Sequence, residues 1–246
     1  SPEILMAGCG TGQHALVMAS RFSNARVLAV DLSLSSLSYA LRKTNELGFS
    51  NFEYAQADIM ELADLGRRFD FIGCAGVLHH LGDPLAGWRV LVDLLRPGGL
   101  MKIGLYSETA RQNIISGRAL IADKGYTTSP DDIRRCRQDI MAMAENGDRV
   151  MASICDGRDF FSLSGCRDLL FHVQEHRFTL PQIEAALDAL ELTFVGFELP
   201  YPNIRRDFKK SHPRERALTS FSLWHEFELE NPRTFQGMYQ FWCRKK

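Results

Sequence analysis

The first hundred residues alternate short apolar runs with segments of helical periodicity. The apolar runs predict five strands, at residues 3–7, 26–31, 52–57, 69–75 and 100–106. Apolar residues spaced three and four positions apart predict helices between them, at 13–22, 33–47 and 84–95. Short strands separated by helices of this length indicate βαβ units and therefore a parallel sheet.

The pattern changes after residue 106. Helices are predicted at 109–124, 131–145, 166–176 and 181–190, and strand signals return only at 192–199 and 238–244. A basic, loop-rich piece lies between these last two strands, and one helix is predicted in it, at 214–223. We therefore expect a long helical segment to interrupt the α/β pattern after the fifth strand.

Composition and charge exclude several classes of protein. Hydrophobic residues make up 45% of the 246-residue chain and charged residues 24%, as in folded globular proteins. The net charge of −1 favours neither nucleic acid nor an acidic membrane surface, and no apolar run is long enough to cross a bilayer. The six cysteines form no CxxC pair and the N-terminus has no signal-peptide pattern. We therefore expect reduced cysteines and a cytoplasmic location.

A glycine-rich loop, Gly8-Cys9-Gly10-Thr11-Gly12, joins the first strand to the first helix. Glycines there allow a sharp turn and close approach of a ligand, and the helix start favours an anionic group. The GxGxxG dinucleotide pattern needs Gly or Ala where Gln13 stands, and the P-loop pattern is also absent. A compact GxGxG ligand loop remains, with a glycine turn that binds nothing as the alternative.

Acidic residues end the next two predicted strands. Asp31 ends the second strand, where a carboxylate can accept two hydrogen bonds from a ribose diol. Asp58 follows the third strand, where it can accept from an adenine amino group. Either residue alone is more often a cap or a turn residue. Together with the glycine loop they indicate a nucleoside site at the carboxyl ends of the strands.

These motifs resemble those of the class I S-adenosylmethionine-dependent methyltransferases. The likeness rests on residues 4–12, 30–31, 56–59, 74–81 and 96–100, in the family's order and spacing. It implies an α/β Rossmann-like fold with a seven-stranded, mostly parallel sheet whose last strand is antiparallel. It also implies that S-adenosylmethionine or S-adenosylhomocysteine contacts Ala7, Gly8, Cys9, Gly10, Gly12, Gln13, Asp31, Leu32, Asp58, Ile59, Cys74, Ala75, Val77 and His80.

The chain departs from the family in two places. Met6 stands where the family usually has an acidic residue that holds the cofactor's ammonium group, so backbone carbonyls or Gln13 are expected to replace it. The family also has helices before its first strand, so we expect this chain to be a piece of a longer protein. Residues 169–172 and 235–242 resemble the methyltransferase portion of bacterial proteins that carry tetratricopeptide repeats upstream.

Three segments are expected from these patterns. Residues 1–106 form the cofactor-binding half, 107–178 a helical cap that builds the acceptor pocket, and 179–246 complete the sheet with a basic insert at 201–237. The alternative for the helical segment is a dimerisation surface. Catalytic candidates are Tyr106, His80, His172 and His176, and Tyr126 and Phe160 are also expected to face the pocket.

Three other features have competing interpretations. The sequence HVQEH at 172–176 spells HxxEH, which on one helix face could hold zinc with Glu175 as the base of a peptidase. The alternative is a polar helix face without metal. Residues 205–216 have six basic side chains against two acidic ones, which fits either an acidic partner or a solvated surface. The aromatic residues at 221–242 are expected to be core.

The sequence thus favours methyl transfer from S-adenosylmethionine to an unidentified acceptor, either a protein side chain or a small molecule. In-line displacement needs orientation and exclusion of water more than a catalytic triad. A non-catalytic S-adenosylmethionine-binding module and the HxxEH zinc peptidase are the alternatives. No metal or membrane partner is expected, and nucleic acid is disfavoured.

Overall fold

A computed structural model describes residues 1–22 and 24–246, which divide into two compact units. We call residues 1–107 with 176–246 the sheet unit, and residues 108–175 the helical unit. The strands of the sheet unit are β1 Glu3–Ala7, β2 Arg26–Asp31, β3 Phe52–Gln56, β4 Phe69–Ala75, β5 Leu95–Leu105, β6 Leu192–Phe197 and β7 Tyr239–Lys245. In chain order, the α-helices are α1 Gln13–Arg21, α2 Leu34–Glu46, α3 Pro84–Leu94, α4 Gln112–Lys124, α5 Pro130–Glu145, α6 Arg149–Cys155, α7 Leu163–Phe171, α8 Leu180–Ala189, α9 Pro202–Ser211 and α10 Phe221–Glu230.

The described strands form one sheet of seven in the order β3-β2-β1-β4-β5-β7-β6. β1 to β5 pair in parallel, and β7 runs antiparallel to both β5 and β6. The prediction of a mostly parallel seven-stranded sheet with an antiparallel last strand is confirmed. The carboxyl ends of β1 to β5 lie at one edge, which we call the rim.

Both faces of the central strands are buried, as parallel strands require. On one face Leu5, Leu28 and Ile72 join a large core with α3, α8, α9 and α10. On the other, Ile4 and Val27 pack against α1. Every residue of β1 is buried, so its backbone is held firmly where it enters the glycine loop. Six of the seven aromatic residues predicted to be core are buried: Phe221, Trp224, Phe227, Phe235, Tyr239 and Phe241. The seventh, Trp242, is only half-buried, because it lies on the other face of β7, against Phe71.

Two predicted boundaries in the sheet unit are wrong. β5 begins at Leu95, not residue 100, because Leu95 pairs with Phe69 across a register shift before the regular ladder resumes. The predicted helix at 214–223 is replaced by a 3₁₀ turn at Glu215–Thr219 and by α10, whose amino end is capped by the Ser220 hydroxyl. Helix α9 was not predicted; its Ile204 and Phe208 are buried, while three of its four basic side chains are exposed.

The helical unit contains α4 to α7 and a 3₁₀ turn at Arg158–Phe161. Its own apolar core includes Ile133, Ile140 and Cys166. Helix α6 was not predicted; the Asp148 carboxylate caps it by accepting from two backbone amides. The predicted helix at 166–176 is displaced, because Ser162 caps α7 and the helix ends at Phe171. This helical stretch after β5 agrees with the predicted periodicity.

No helix within residues 1–22 and 24–246 is long and apolar enough to span a membrane.

Candidate active site

The glycine loop between β1 and α1 turns sharply at the rim. Gly8, Gly10 and Gly12 all have positive φ angles, of 70°, 53° and 85°, which favour glycine over any residue with a side chain. The amides of Gly8 and Cys9 both donate to the carbonyl of Val30 at 2.9 Å, so the loop is tied to the end of β2. The loop thereby presents its backbone beside the second strand.

Asp31, the last residue of β2, is bonded directly to this loop. One carboxylate oxygen accepts from the Gly10 amide at 2.7 Å, and the other accepts from the Ser33 amide at 2.9 Å. The side chain is half-buried. A carboxylate has about four acceptor positions, so two amides leave capacity for further donors. Asp31 therefore fixes the loop and can still receive hydroxyl groups.

The end of β3 reaches the same edge through the pairing of Asp31 with Gln56. Asp58 caps the 3₁₀ turn Ile59–Asp64, and one of its oxygens accepts from the Met60 amide at 2.9 Å. Ile59 is buried in the core, whereas Leu32 is 63% exposed at the start of the β2–α2 connection. Leu32 thus presents an apolar surface beside the carboxyl ends of β2 and β3.

The end of β4 approaches the glycine loop closely. Cys74 is buried, and Ala75 and Val77 are half-buried at the rim. A Cβ atom built on Gly8 would lie 2.2 Å from a methyl carbon of Val77, so only glycine fits there. Burial raises the pKa of the Cys74 thiol to about 12. The segment thus brings small, uncharged surface to the loop.

Two residues flank the glycine loop. Met6 stands where the family usually has an acidic residue, and Gln13 is one of the groups expected to replace it. Met6 is buried and packs over Gly73: a Cβ on that glycine would lie 2.7 Å from the Met6 methyl carbon. Gln13 is exposed in the first turn of α1. Burial, and secondarily the Asp31 charge, raise the pKa of the Cys9 thiol to about 12, so this cysteine carries no charge at neutral pH.

A cluster of aromatic and imidazole rings lies at the ends of β4 and β5. The ring of Tyr106 stacks on His79 with centroids 3.7 Å apart, and His80 lies 4.3 Å from His79. The backbone amide of His176 donates to the His79 carbonyl at 2.8 Å. His79 is fully buried and His80 is half-buried. Three of the four catalytic candidates are therefore neighbours in the sheet unit.

The fourth candidate, His172, belongs to the helical unit, where it follows α7 in extended conformation. Because the helix ends at Phe171, His172 and His176 share no helix face, and the premise of the zinc peptidase is wrong. The Glu175 carboxylate is buried and bonded to Arg111, with Nη2 to Oε2 at 2.8 Å and Nε to Oε1 at 3.1 Å. It serves an ion pair.

The two other residues expected to face the pocket are engaged within the helical unit. Phe160 is completely buried in that unit's own core, so the expectation that it faces a pocket is wrong. The Tyr126 hydroxyl donates to Asp139 at 2.6 Å. Their side chains fill and stabilise the unit, because a helical insert of this length needs its own apolar centre.

Sequence analysis missed two features near the rim. Met238, just before β7, lies over Gly76 and Gly104: its sulfur is 2.7 Å from where a Cβ on Gly104 would lie. Glu228 of α10 is a completely buried carboxyl group. Glycines ending two neighbouring strands were a usable signal for a covering side chain, but no local pattern indicated which residue supplies it.

Comparisons with known proteins agree with this geometry. A sequence family described as a methyltransferase domain matches residues 4–99. The uncharacterized protein syc1184_c of Synechococcus is 29% identical over 240 residues, which cover 93% of this chain and 56% of that protein. The ubiquinone biosynthesis O-methyltransferase of Acinetobacter baylyi is 32% identical over 98 residues, covering 39% of this chain and 40% of that enzyme. The chain spans about half the length of these relatives.

Solved structures show the same fold. PKMT2 from Rickettsia typhi matches 100% of this chain and 49% of its own, with a TM-score of 0.74 and 15% identity. The same protein in complex with S-adenosylhomocysteine matches 98% of this chain and 48% of its own, with a TM-score of 0.72 and 17% identity. Residues 4–99 therefore match a methyltransferase domain, and the whole chain shares its fold with a protein that has been solved in complex with S-adenosylhomocysteine.

Proposed function

We propose that this chain transfers the methyl group of S-adenosylmethionine to an acceptor bound at the rim. The proposal rests on the hydrogen bond that the Gly10 amide donates to the Asp31 carboxylate. This bond joins the glycine loop to an acidic side chain of the kind that can bind a ribose. The two amides that hold Asp31 leave acceptor positions of the carboxylate unused at the rim, where the hydroxyl groups of a ribose could supply the donors.

The residues at the rim fit an adenosyl ligand. Among the described residues, no neighbouring atom lies within 4 Å of where a Cβ on Gly10 would be, so the loop leaves room above its backbone. Asp31 has acceptor positions left for the ribose hydroxyls, and the exposed Leu32 offers an apolar surface to the base. The residues that we assign to the cofactor follow the ends of four strands, β1 to β4. They are Ala7, Gly8, Cys9, Gly10, Gly12, Gln13, Asp31, Leu32, Asp58, Ile59, Cys74, Ala75, Val77 and His80.

The cofactor and the residues of the chain contribute different parts of the proposed reaction. When bound, the cofactor supplies an electrophilic methyl group on a sulfonium centre. The chain's residues orient the acceptor and exclude water, so the buried His79 and Tyr106 rings serve as a rigid wall. His80 is the more accessible imidazole and is the group we assign to receive a proton, if the acceptor must lose one. The family match ends at residue 99, so acceptor recognition is assigned to the later residues.

We assign the acceptor pocket to the helical unit, with residues 107–178 acting as the cap and 179–246 completing the sheet. The unit is inserted directly after β5, and its two chain ends meet, because Ser107 pairs with Phe178 in a short parallel bridge. Residues 108–175 can therefore be replaced by a short linker. We expect S-adenosylhomocysteine to bind within a few-fold of the intact chain while methyl transfer is lost; retained turnover contradicts this role.

The decisive experiment is calorimetric titration of the chain with S-adenosylhomocysteine, with NAD and ATP as comparison ligands. We expect binding of the first alone, and equal or stronger binding of NAD would overturn the proposal. Transfer of a tritiated methyl group into a cell lysate then separates an enzyme from a non-catalytic binding module. Binding without any transfer would favour the module.

Two broader expectations accompany this function. All six cysteines are free, which supports our expectation of a reducing, cytoplasmic setting. An upstream tetratricopeptide-repeat region stays a prediction, as does the identity of the acceptor.

A further inference from the structure

A buried carboxyl group lies where β5 ends and β7 begins. Glu228, in the last turn of α10, is completely buried. One of its oxygens accepts from the Ser107 hydroxyl at 2.6 Å and from the Tyr239 hydroxyl at 2.8 Å; its other oxygen lies 2.7 Å from the same Tyr239 hydroxyl. Two hydroxyl groups from two strand ends thus converge on one carboxyl.

Burying this carboxyl group costs free energy of folding. Aromatic rings pack beside it, with the ring of Tyr239 4.8 Å from that of Phe235, and His225 lies close enough to lower the pKa of Glu228 electrostatically. Burial raises the pKa of Glu228, and the bonds from Ser107 and Tyr239 work in the opposite direction. Replacing both partners of a buried hydrogen bond by apolar groups of the same shape can be nearly neutral for stability, so apolar residues at positions 107, 228 and 239 could fill the same space. Packing alone therefore gives little reason for a glutamate at this position.

The two hydroxyl donors occupy corresponding places at the rim. Ser107 lies two residues beyond the end of β5, and Tyr239 opens β7, where it pairs with Leu105. The residue before each of them reaches the proposed site. Tyr106 stacks on His79. Met238 lies 3.8 Å, through its methyl carbon, from where a Cβ on Gly76 would be, at the end of β4.

We propose that Glu228 is a positioning residue for the acceptor side of the site. By holding Ser107 and Tyr239 it fixes their neighbours, Tyr106 and Met238, at the ends of β5 and β4. Met238 closes the rim over two strand ends that lack side chains, so its place sets the shape of the space beside the transferred methyl group. The proposal rests on the proposed function, since it assigns these residues to the same rim.

The test follows the methyl signal of Met238 by NMR in protein labelled with carbon-13 at the methionine methyl groups. The chain has eight methionines, and comparison with Met238→Leu assigns the signal. In the native chain we expect S-adenosylhomocysteine to shift this signal. In Glu228→Leu we expect the signal to move toward the position of a solvent-exposed methionine, while the Kd for S-adenosylhomocysteine stays within threefold. Glu228→Gln, which keeps an acceptor oxygen, should restore the native position.

Leu187→Ala is the matched control, because Leu187 is buried in the same core and its side chain has no hydrogen-bonding group. It should lower the melting temperature without moving the Met238 signal. A native Met238 signal in Glu228→Leu overturns the positioning role. If Glu228→Leu does not fold, the Met238 signal is measured in Tyr239→Phe, because this variant removes two of the three close contacts of the Glu228 carboxyl group. A native Met238 signal there overturns the positioning role in the same way. Failure of the proposed function is a different result: S-adenosylhomocysteine then neither binds nor shifts any methionine signal in the native chain.

Discussion

Replacing Asp31 by alanine should weaken both the glycine loop and the cofactor complex. The carboxylate accepts from the Gly10 and Ser33 amides at 2.7 and 2.9 Å. A hydrogen bond to a charged acceptor contributes about 1.5–3 kcal/mol, and the half-exposed position puts each of these at the low end. We therefore expect Asp31→Ala to lower the free energy of unfolding by about 2–3 kcal/mol even without ligand.

The effect on binding comes on top of this. If Asp31 receives the ribose hydroxyls, their loss costs roughly 1–3 kcal/mol of binding free energy, a five- to hundredfold higher Kd. Calorimetry with S-adenosylhomocysteine measures it, at a temperature where circular dichroism shows the variant folded. Asp64→Ala is the control for charge, because Asp64 is an exposed acid in the adjacent 3₁₀ turn. A Kd within twofold of native in folded Asp31→Ala would remove Asp31 from the site.

Three further outcomes are expected. Gly8→Ala should lower stability more than Gly10→Ala, because an added Cβ clashes at 2.2 Å in the first variant and meets open space in the second. Gly10→Ala should still weaken S-adenosylhomocysteine binding at least tenfold. Thermal melts compare the stability of the two variants, and calorimetry compares their binding. At pH 8, iodoacetamide should modify Cys9 about a thousandfold more slowly than free cysteine, because its thiol pKa is raised to about 12; mass spectrometry measures the rate, and a rate like that of free cysteine contradicts this. Glu175→Ala should lower the free energy of unfolding of the helical unit by about 3–5 kcal/mol, because it removes the carboxylate from the buried Arg111. Urea unfolding measures this change, and a change under about 1 kcal/mol would contradict the prediction.

The site was predictable to the extent that it is made of strand ends and glycines. The glycine loop, Asp31 and the end of β4 lie together at the rim, as the alternation of strands and helices indicated. The roles assigned to them from the family resemblance stay predictions. The interpretation of HxxEH failed, because the residues up to 176 keep helical periodicity although the helix ends at Phe171. What holds Glu175 instead is Arg111, 64 residues earlier in the chain.

By itself, the sequence determined the alternation of strands and helices in the first hundred residues, the parallel core and the loop where the chain turns with positive φ. These depend on the periodicity of neighbouring residues and on glycine, which act within a few positions along the chain. Only the tertiary structure decided where β5 begins, because that follows from its pairing with Phe69. It also decided that Glu228 meets Ser107, 121 residues away. A local pattern reports which face of an element is buried, but the partner on that face is set by packing of the whole unit.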